Sequence, residues 1–157
     1  MGVKVLLLRH ASAGERLPSP AADRARPLDG TGRADTGALL VALAEHAIER
    51  VVTSPHLRCR ETVEPIAQQR RLHVECREAL APGTNRDDVL RLLEELPEWS
   101  LVCTHREVFE LLFDGLIRCE KGGMWTVEVH DGRVVPLEYL PPAAGAVRER
   151  TATRLVG

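Results

Sequence analysis

"VKVLLLRHASAG", residues 3–14, opens the chain with a continuous apolar run that stops abruptly at Arg9 and His10. An unbroken run, rather than an alternating one, marks a strand covered on both faces of its sheet. Arg9 and His10 cost free energy to bury unless something pairs with them. The first strand therefore carries two groups to its carboxyl end that require a partner.

Working outward, the 157 residues suffice for one domain with its own core. We expect a single unit over residues 1–140 and a loose tail over 141–157, where periodicity fades. Residues 9–30 read as a loop rich in Pro, Ala and charge. Leu39, Leu40, Leu43 and Ala47 share one face and predict a helix over 31–47. A short strand over 50–54 stops at Pro55, and a helix opens there with Ser54 as cap, to be kinked or cut short by Pro65. Residues 72–76 read as strand. Val89, Leu92, Leu93 and Leu96 give an amphipathic helix, followed by a strand over 100–104 and a helix over 106–116. Residues 125–129 and 133–140 flank "HDG" as a hairpin. This alternation predicts a three-layer α/β/α fold, with a mostly parallel central sheet and helices on both faces.

In such sheets ligands bind beyond the carboxyl ends of the strands. Arg9 and His10 lie there on the first strand, Arg58 in the turn after the second, and His105 at the end of the 100–104 strand. Two arginines and two histidines without clustered carboxylates describe a pocket for a dianion, since guanidinium forks match phosphate oxygens and stay charged. A neutral imidazole can attack phosphorus in line while arginines stabilise the equatorial oxygens.

Composition excludes other classes. Lys plus Arg total 21 against 23 Asp plus Glu, a net charge of -2, so no global positive field recruits nucleic acid or membrane. The few aromatic residues (Phe109, Phe113, Trp99, Trp125, Tyr139) are scattered, leaving no stacking platform for single strands. The apolar run is far short of a membrane span or signal-peptide core, which predicts a cytoplasmic protein. Cys59, Cys76, Cys103 and Cys119 have irregular spacings and no CxxC, as free thiols do in a reducing compartment. Cys103 and His105 lack the paired local ligands of zinc sites. No metal and no cofactor is expected.

Four segments together resemble the histidine phosphatase superfamily, whose fold is phosphoglycerate mutase-like. "LLLRHASAG" looks like its opening motif, with an Arg-His pair ending the first strand. "TSPHLRCRETVEPIA" is similar to its Ser-Pro-x-x-Arg-x-x-x-Thr segment, and "LVCTHREVFELL" to the late segment with the second histidine. "DRARPLDGTG" resembles the Asp-x-x-Arg-Pro-Leu-x-x-x-Gly signature of the small SixA-type branch, placing Asp23, Arg26, Pro27, Leu28 and Gly32. The late segment and the carboxyl-terminal region also look like the histidine phosphatase domain of mycobacterial MutT-type Nudix proteins. The resemblance implies His10 as nucleophile, with Arg9, Arg58 and His105 holding the phosphoryl group. Ala11 stands where many members have Gly, as in SixA-like members. Larger members place an acid after the middle strand, where this chain has Ala81 or Pro82, with Glu78 slightly early.

Other positions carry two readings. Arg26 either binds substrate or orders the long loop through Asp23 or Asp29. Ser12 either donates to phosphate or bonds local backbone. Glu78 is either the proton donor or a solvated charge beside Arg77, and Lys121 stands as a contact at the pocket edge. His46, His56, His73 and His130 read as surface or structural residues. The expected activity is a metal-independent phosphatase acting through a phosphohistidine intermediate. Its substrate is a phosphorylated small molecule, a nucleotide or a phosphohistidine protein. The alternative is a non-catalytic phosphate-binding or interaction domain of the same fold.

Overall fold

A computed structural model describes residues 2–142. The tail expected over 141–157 lies, from residue 143 onward, outside the described residues. The central sheet has six strands: β1 (Val3–Arg9), β2 (Val51–Thr53), β3 (Val74–Cys76), β4 (Leu101–Thr104), β5 (Met124–His130) and β6 (Arg133–Leu140). Their order is β3-β2-β4-β1-β5-β6. The first four are parallel, whereas β5 runs antiparallel to β1 and pairs with β6. The β5–β6 hairpin turns on Asp131 and Gly132, both at positive φ, the Asp-Gly turn that suits strand twist.

The period-2 geometry of β1 divides the core. Val5 and Leu7 face one layer with Val52, Val102 and the helices α4 (Arg86–Glu95) and α5 (Arg106–Phe113). Leu6 and Leu8 face the other with Val51, Leu101, Cys103 and the helices α2 (Gly30–Ala42) and α3 (Leu57–Arg70). The mixed α/β/α architecture expected from sequence is thus present. Among the described residues no helix is long and apolar enough to cross a membrane.

Several local expectations change, among them the cap of α3, which is His56 without a side-chain cap bond and not Ser54. The long loop contains a short helix, α1 (Pro20–Arg24), with Ser19 as its cap and Pro at its start. The helix expected to reach residue 47 ends at Ala42, because the Arg70 guanidinium takes the carbonyls of Leu43 and His46. Leu43 stays buried all the same. Pro65 neither stops nor shortens α3. Its lost backbone bond is offset by Val63, Ile66 and Ala67, which are buried against the sheet.

The loop after β1 is drawn tightly onto α2. Asp29 caps α2 by accepting the Gly32 N–H at 2.8 Å, and its carboxylate also receives the Ser12 hydroxyl at 2.7 Å and the Gly14 N–H at 3.0 Å. A Cβ on Gly32 would lie 2.1 Å from the Ser12 carbonyl oxygen, which is backbone and has no way to rotate aside. Gly32→Ala is therefore expected to cost about 1–3 kcal/mol of stability, as overpacking does. It should also displace the loop that begins at His10. Chemical denaturation measures this, and an unchanged midpoint would contradict the close approach.

Candidate active site

The site begins with strand register. β1 and β4 pair in parallel with Arg9 opposite Thr104, and the His10 N–H donates to the Thr104 carbonyl at 3.0 Å. The residues that follow these strand ends, His10 and His105, are thereby adjacent, with ring centroids 5.3 Å apart and nearly edge to face. β2 lies on the far side of β4. The turn after it leads into the first turn of α3, which carries Arg58. Thr62, one helical turn on, accepts the Ala11 N–H at 3.0 Å and ties the β1 loop to the same helix.

Arg9, His10, Arg58 and His105, the group singled out from sequence, line one cavity of about 260 Å³. Its other walls are Gly14, Arg16, Arg26, Arg106, Glu107 and Lys121. Arg9 is anchored by donating to the Cys119 carbonyl at 2.8 Å. Arg58, only 2% exposed, donates to the Asp23 carbonyl at 2.8 Å and lies 3.4 Å from the Asp23 carboxylate. The Nε atoms of Arg9 and Arg58 are buried and have no hydrogen-bond partner among the described residues. The guanidinium groups that line the cavity are donors of the kind an oxyanion accepts.

The two histidines are neutral. Burial pushes His10 down to about 3, opposed by its bond to the Ala11 carbonyl and reinforced by Arg58, Arg9 and Arg26. Burial likewise pushes His105 down to about 2, with His10 and Arg58 adding to it. His10 Nδ1 lies 2.8 Å from the Ala11 carbonyl. A carbonyl only accepts, so Nδ1 carries the proton and Nε2 keeps the ring lone pair.

The remaining candidates separate. Arg26 lines the cavity, yet it also donates to the Ala13 and Gly14 carbonyls and pairs with Asp23 at 3.1 Å, so it orders the loop as well as facing the site. For the Asp23 carboxyl, burial raises the pKa, but the Leu17 N–H, Arg58 and Arg26 outweigh it and hold it below its ordinary value. The Ser12 hydroxyl is committed to Asp29 and does not line the cavity. Glu78 is exposed and pairs with Arg24 at 2.6 Å, also off the cavity wall. Pro82 lines a neighbouring groove of about 570 Å³, whose apolar surface comes from Leu17, Pro18, Pro20, Ala21 and Pro82. That groove shares Arg16, Arg58 and Glu107 with the cavity.

Several residues at the site escaped the sequence reading. Arg16, Arg106 and Glu107 sit in the two segments that follow His10 and His105, and proximity to those histidines was their only signal. His56, read as surface or structural, packs its ring 4.8 Å from that of His105 and lines the groove. Burial and the charge of Arg58 push it down to about 4. Among the described residues no three His, Cys, Asp or Glu side chains group as a metal site.

Comparison with known proteins adds three findings. The sequence profile of the histidine phosphatase superfamily (branch 1) matches residues 5–82. An 8-oxo-(d)GTP phosphatase of Mycolicibacterium smegmatis is 33% identical over 155 residues, covering 88% of this chain and 48% of the relative. The chain thus spans about half the length of that relative. In fold, the protein histidine phosphatase SixA complexed with tungstate matches with a TM-score of 0.70 at 23% identity, covering 90% of this chain and 99% of the other. YhfR of Bacillus stearothermophilus matches with a TM-score of 0.71 at 16% identity, covering 85% and 95%.

The depressed histidines make a pH prediction. His10, His56 and His105 titrate near 6.5 when unfolded but at about 3, 4 and 2 when folded. Between those values the unfolded chain binds more protons, so stability rises with pH. The contribution is fully present above pH 6.5 and is lost as pH falls toward 3. Thermal melts should show Tm falling already between pH 6.5 and 4.5, before carboxylates protonate. A flat Tm over that window would contradict the buried, neutral state of these rings.

Proposed function

The chain belongs to the histidine phosphatase superfamily, and from that footing we propose that it is a metal-independent phosphatase acting through a covalent phosphohistidine on His10. The observation that carries this reading is the His10 tautomer. With Nδ1 held by the Ala11 carbonyl at 2.8 Å, Nε2 is the lone-pair nitrogen of a ring lining an arginine-walled cavity. Residues 1–140 form the catalytic unit in this reading, and the free thiols of Cys59, Cys76, Cys103 and Cys119 agree with a cytoplasmic setting.

In the first step Nε2 attacks phosphorus and the bond to the leaving group breaks, the leaving group taking the electron pair. Arg9, Arg58 and His105 hold the equatorial oxygens, with Arg26 behind them. The Ala11 carbonyl stabilises the positive charge that develops on the phosphorylated ring. In the second step water attacks phosphorus, the P–N electron pair returns to Nε2, and phosphate departs with the water oxygen. The water's protons pass to phosphate and solvent.

Substrate class follows from two features. The acid position of larger members is held by Ala81 or Pro82, and the one carboxylate on the cavity wall, Glu107, lies 3.6 Å from Arg16 and 3.9 Å from Arg106. With no acid at that position, the site suits a leaving group that departs without protonation, as the imidazole of phosphohistidine or the phosphate of a phosphoanhydride does. Lys121 adds positive charge to the wall beyond Arg16 and Arg106, which are offset in part by Glu107 and Glu110. This favours nucleotide phosphates, with the rest of the nucleotide in the adjoining groove, over phosphohistidine proteins. The mycobacterial relative is named for a nucleotide and the SixA neighbour for phosphohistidine, so the same test ranks both classes.

The test is phosphate release, without added metal, from nucleoside di- and triphosphates, a phosphohistidine peptide and sugar phosphates. Wild type should release phosphate, fastest from nucleotides. His10→Ala should lose roughly a thousandfold or more, as removal of a nucleophile does. Turnover retained by His10→Ala would overturn the nucleophile assignment. Silence from both proteins, with thermal stabilisation by inorganic phosphate, would favour the non-catalytic phosphate-binding domain.

A further inference from the structure

His105 presents its two ring nitrogens to different surroundings. Nε2 lies 2.8 Å from Ser54 Oγ and 3.4 Å from Cys59 Sγ, and Ser54 and Cys59 are both 0% exposed. No ligand reaches that edge of the ring. Nδ1 lies on the Arg58 side, 3.5 Å from Nη2, and Arg58 and His105 both line the phosphoryl cavity. At 3.5 Å this contact, in which the guanidinium donates, is at the outer limit of a hydrogen bond, and a phosphoryl oxygen that reaches both groups would replace it. Nδ1 is thus the nitrogen available to a bound anion.

A neutral imidazole carries one proton and donates from one nitrogen only. If that proton sits on Nε2, Nδ1 turns a lone pair toward the phosphoryl oxygens and repels them. The decision rests with whatever occupies Nε2. Ser54 Oγ accepts the His56 N–H at 3.3 Å, and among the described residues His105 Nε2 is the acceptor within reach of its hydroxyl proton. Nε2, at 2.8 Å, is positioned to receive it.

We propose that Ser54 is a positioning residue that donates to His105 Nε2 and so holds the imidazole in the Nδ1–H tautomer, aiming that N–H at an equatorial phosphoryl oxygen. The inference rests on the phosphatase reading and goes beyond it. It assigns the site's second histidine a defined proton, and it gives the serine of the Ser-Pro-x-x-Arg segment a task other than capping α3. The two histidines then share one tautomer for opposite purposes. In His10, Nδ1–H faces backbone so that Nε2 attacks, and in His105, Nε2 faces Ser54 so that Nδ1–H donates.

Nitrogen-15 NMR of histidine-labelled wild type, titrated with inorganic phosphate, reads the tautomer directly. The expected result is a protonated Nδ1 and unprotonated Nε2 on His105 when phosphate is bound. Ser54→Ala should give mixed tautomers and lower kcat roughly tenfold or more, while KM changes little, because the lost donor acts chiefly in the transition state. Ser54→Thr, which keeps the hydroxyl, should restore the Nδ1–H signature. A phosphate-bound wild type with its proton on Nε2, no response of His105 to phosphate, or Ser54→Ala at wild-type kcat would each overturn the proposal. If Ser54→Ala does not fold, the wild-type spectrum still decides. Absence of turnover on every substrate would remove the phosphatase reading instead, and the phosphate titration separates that outcome from failure of the tautomer assignment.

Discussion

The parallel pairing of β1 with β4, with Arg9 opposite Thr104, is the constraint on which the site depends. Strand ends in register bring His10 and His105 side by side, with their ring centroids 5.3 Å apart. The same pairing requires both strands to be buried in mid-sheet, and the unbroken apolar run before Arg9 meets that requirement. Every other element at the site is held relative to this pair. Thr62 ties the β1 loop to α3, and Gly32 lets that loop lie against α2.

A second layer of the design concerns charge. Arg58 is buried to 2% exposure, where an unpaired guanidinium would be costly. Asp23 meets it with a backbone carbonyl and a carboxylate, and the same carboxylate binds Arg26. The aspartate of the SixA-type signature thus neutralises and orients the arginine of the helix segment, while the signature's own arginine pairs with the same carboxylate. Burial, reinforced by that positive charge, keeps His10 and His105 neutral, the state in which one nitrogen attacks and another donates.

The sheet was legible because strand runs such as residues 5–8 are apolar on both faces, and helix α4 because its leucines keep a clear helical spacing. Arg9, His10, Arg58 and His105 were legible as a group because each ends or follows a strand whose end has a defined place in a parallel sheet. The features that escaped detection are those set by distant chain. α2 stops early because Arg70 occupies carbonyls beyond it, and α1, only five residues long, is too short for periodicity to reveal. Ser54 carried a local signal, the helix cap, while its hydroxyl is used across the sheet by His105. Arg16, Arg106, Glu107 and His56 form no spacing pattern, since only the folded chain brings them to the cavity and its groove.

The central claim is that His10 Nε2 bonds to phosphorus. Rapid quench under alkaline conditions with a phosphorus-32 nucleotide, followed by peptide mapping and phosphorus NMR of the trapped adduct, tests it most directly. The account predicts acid-labile, alkali-stable phosphate on His10, linked through Nε2, formed and consumed at rates that match turnover. Turnover with no such adduct, or an adduct on Nδ1 or on another residue, would contradict it.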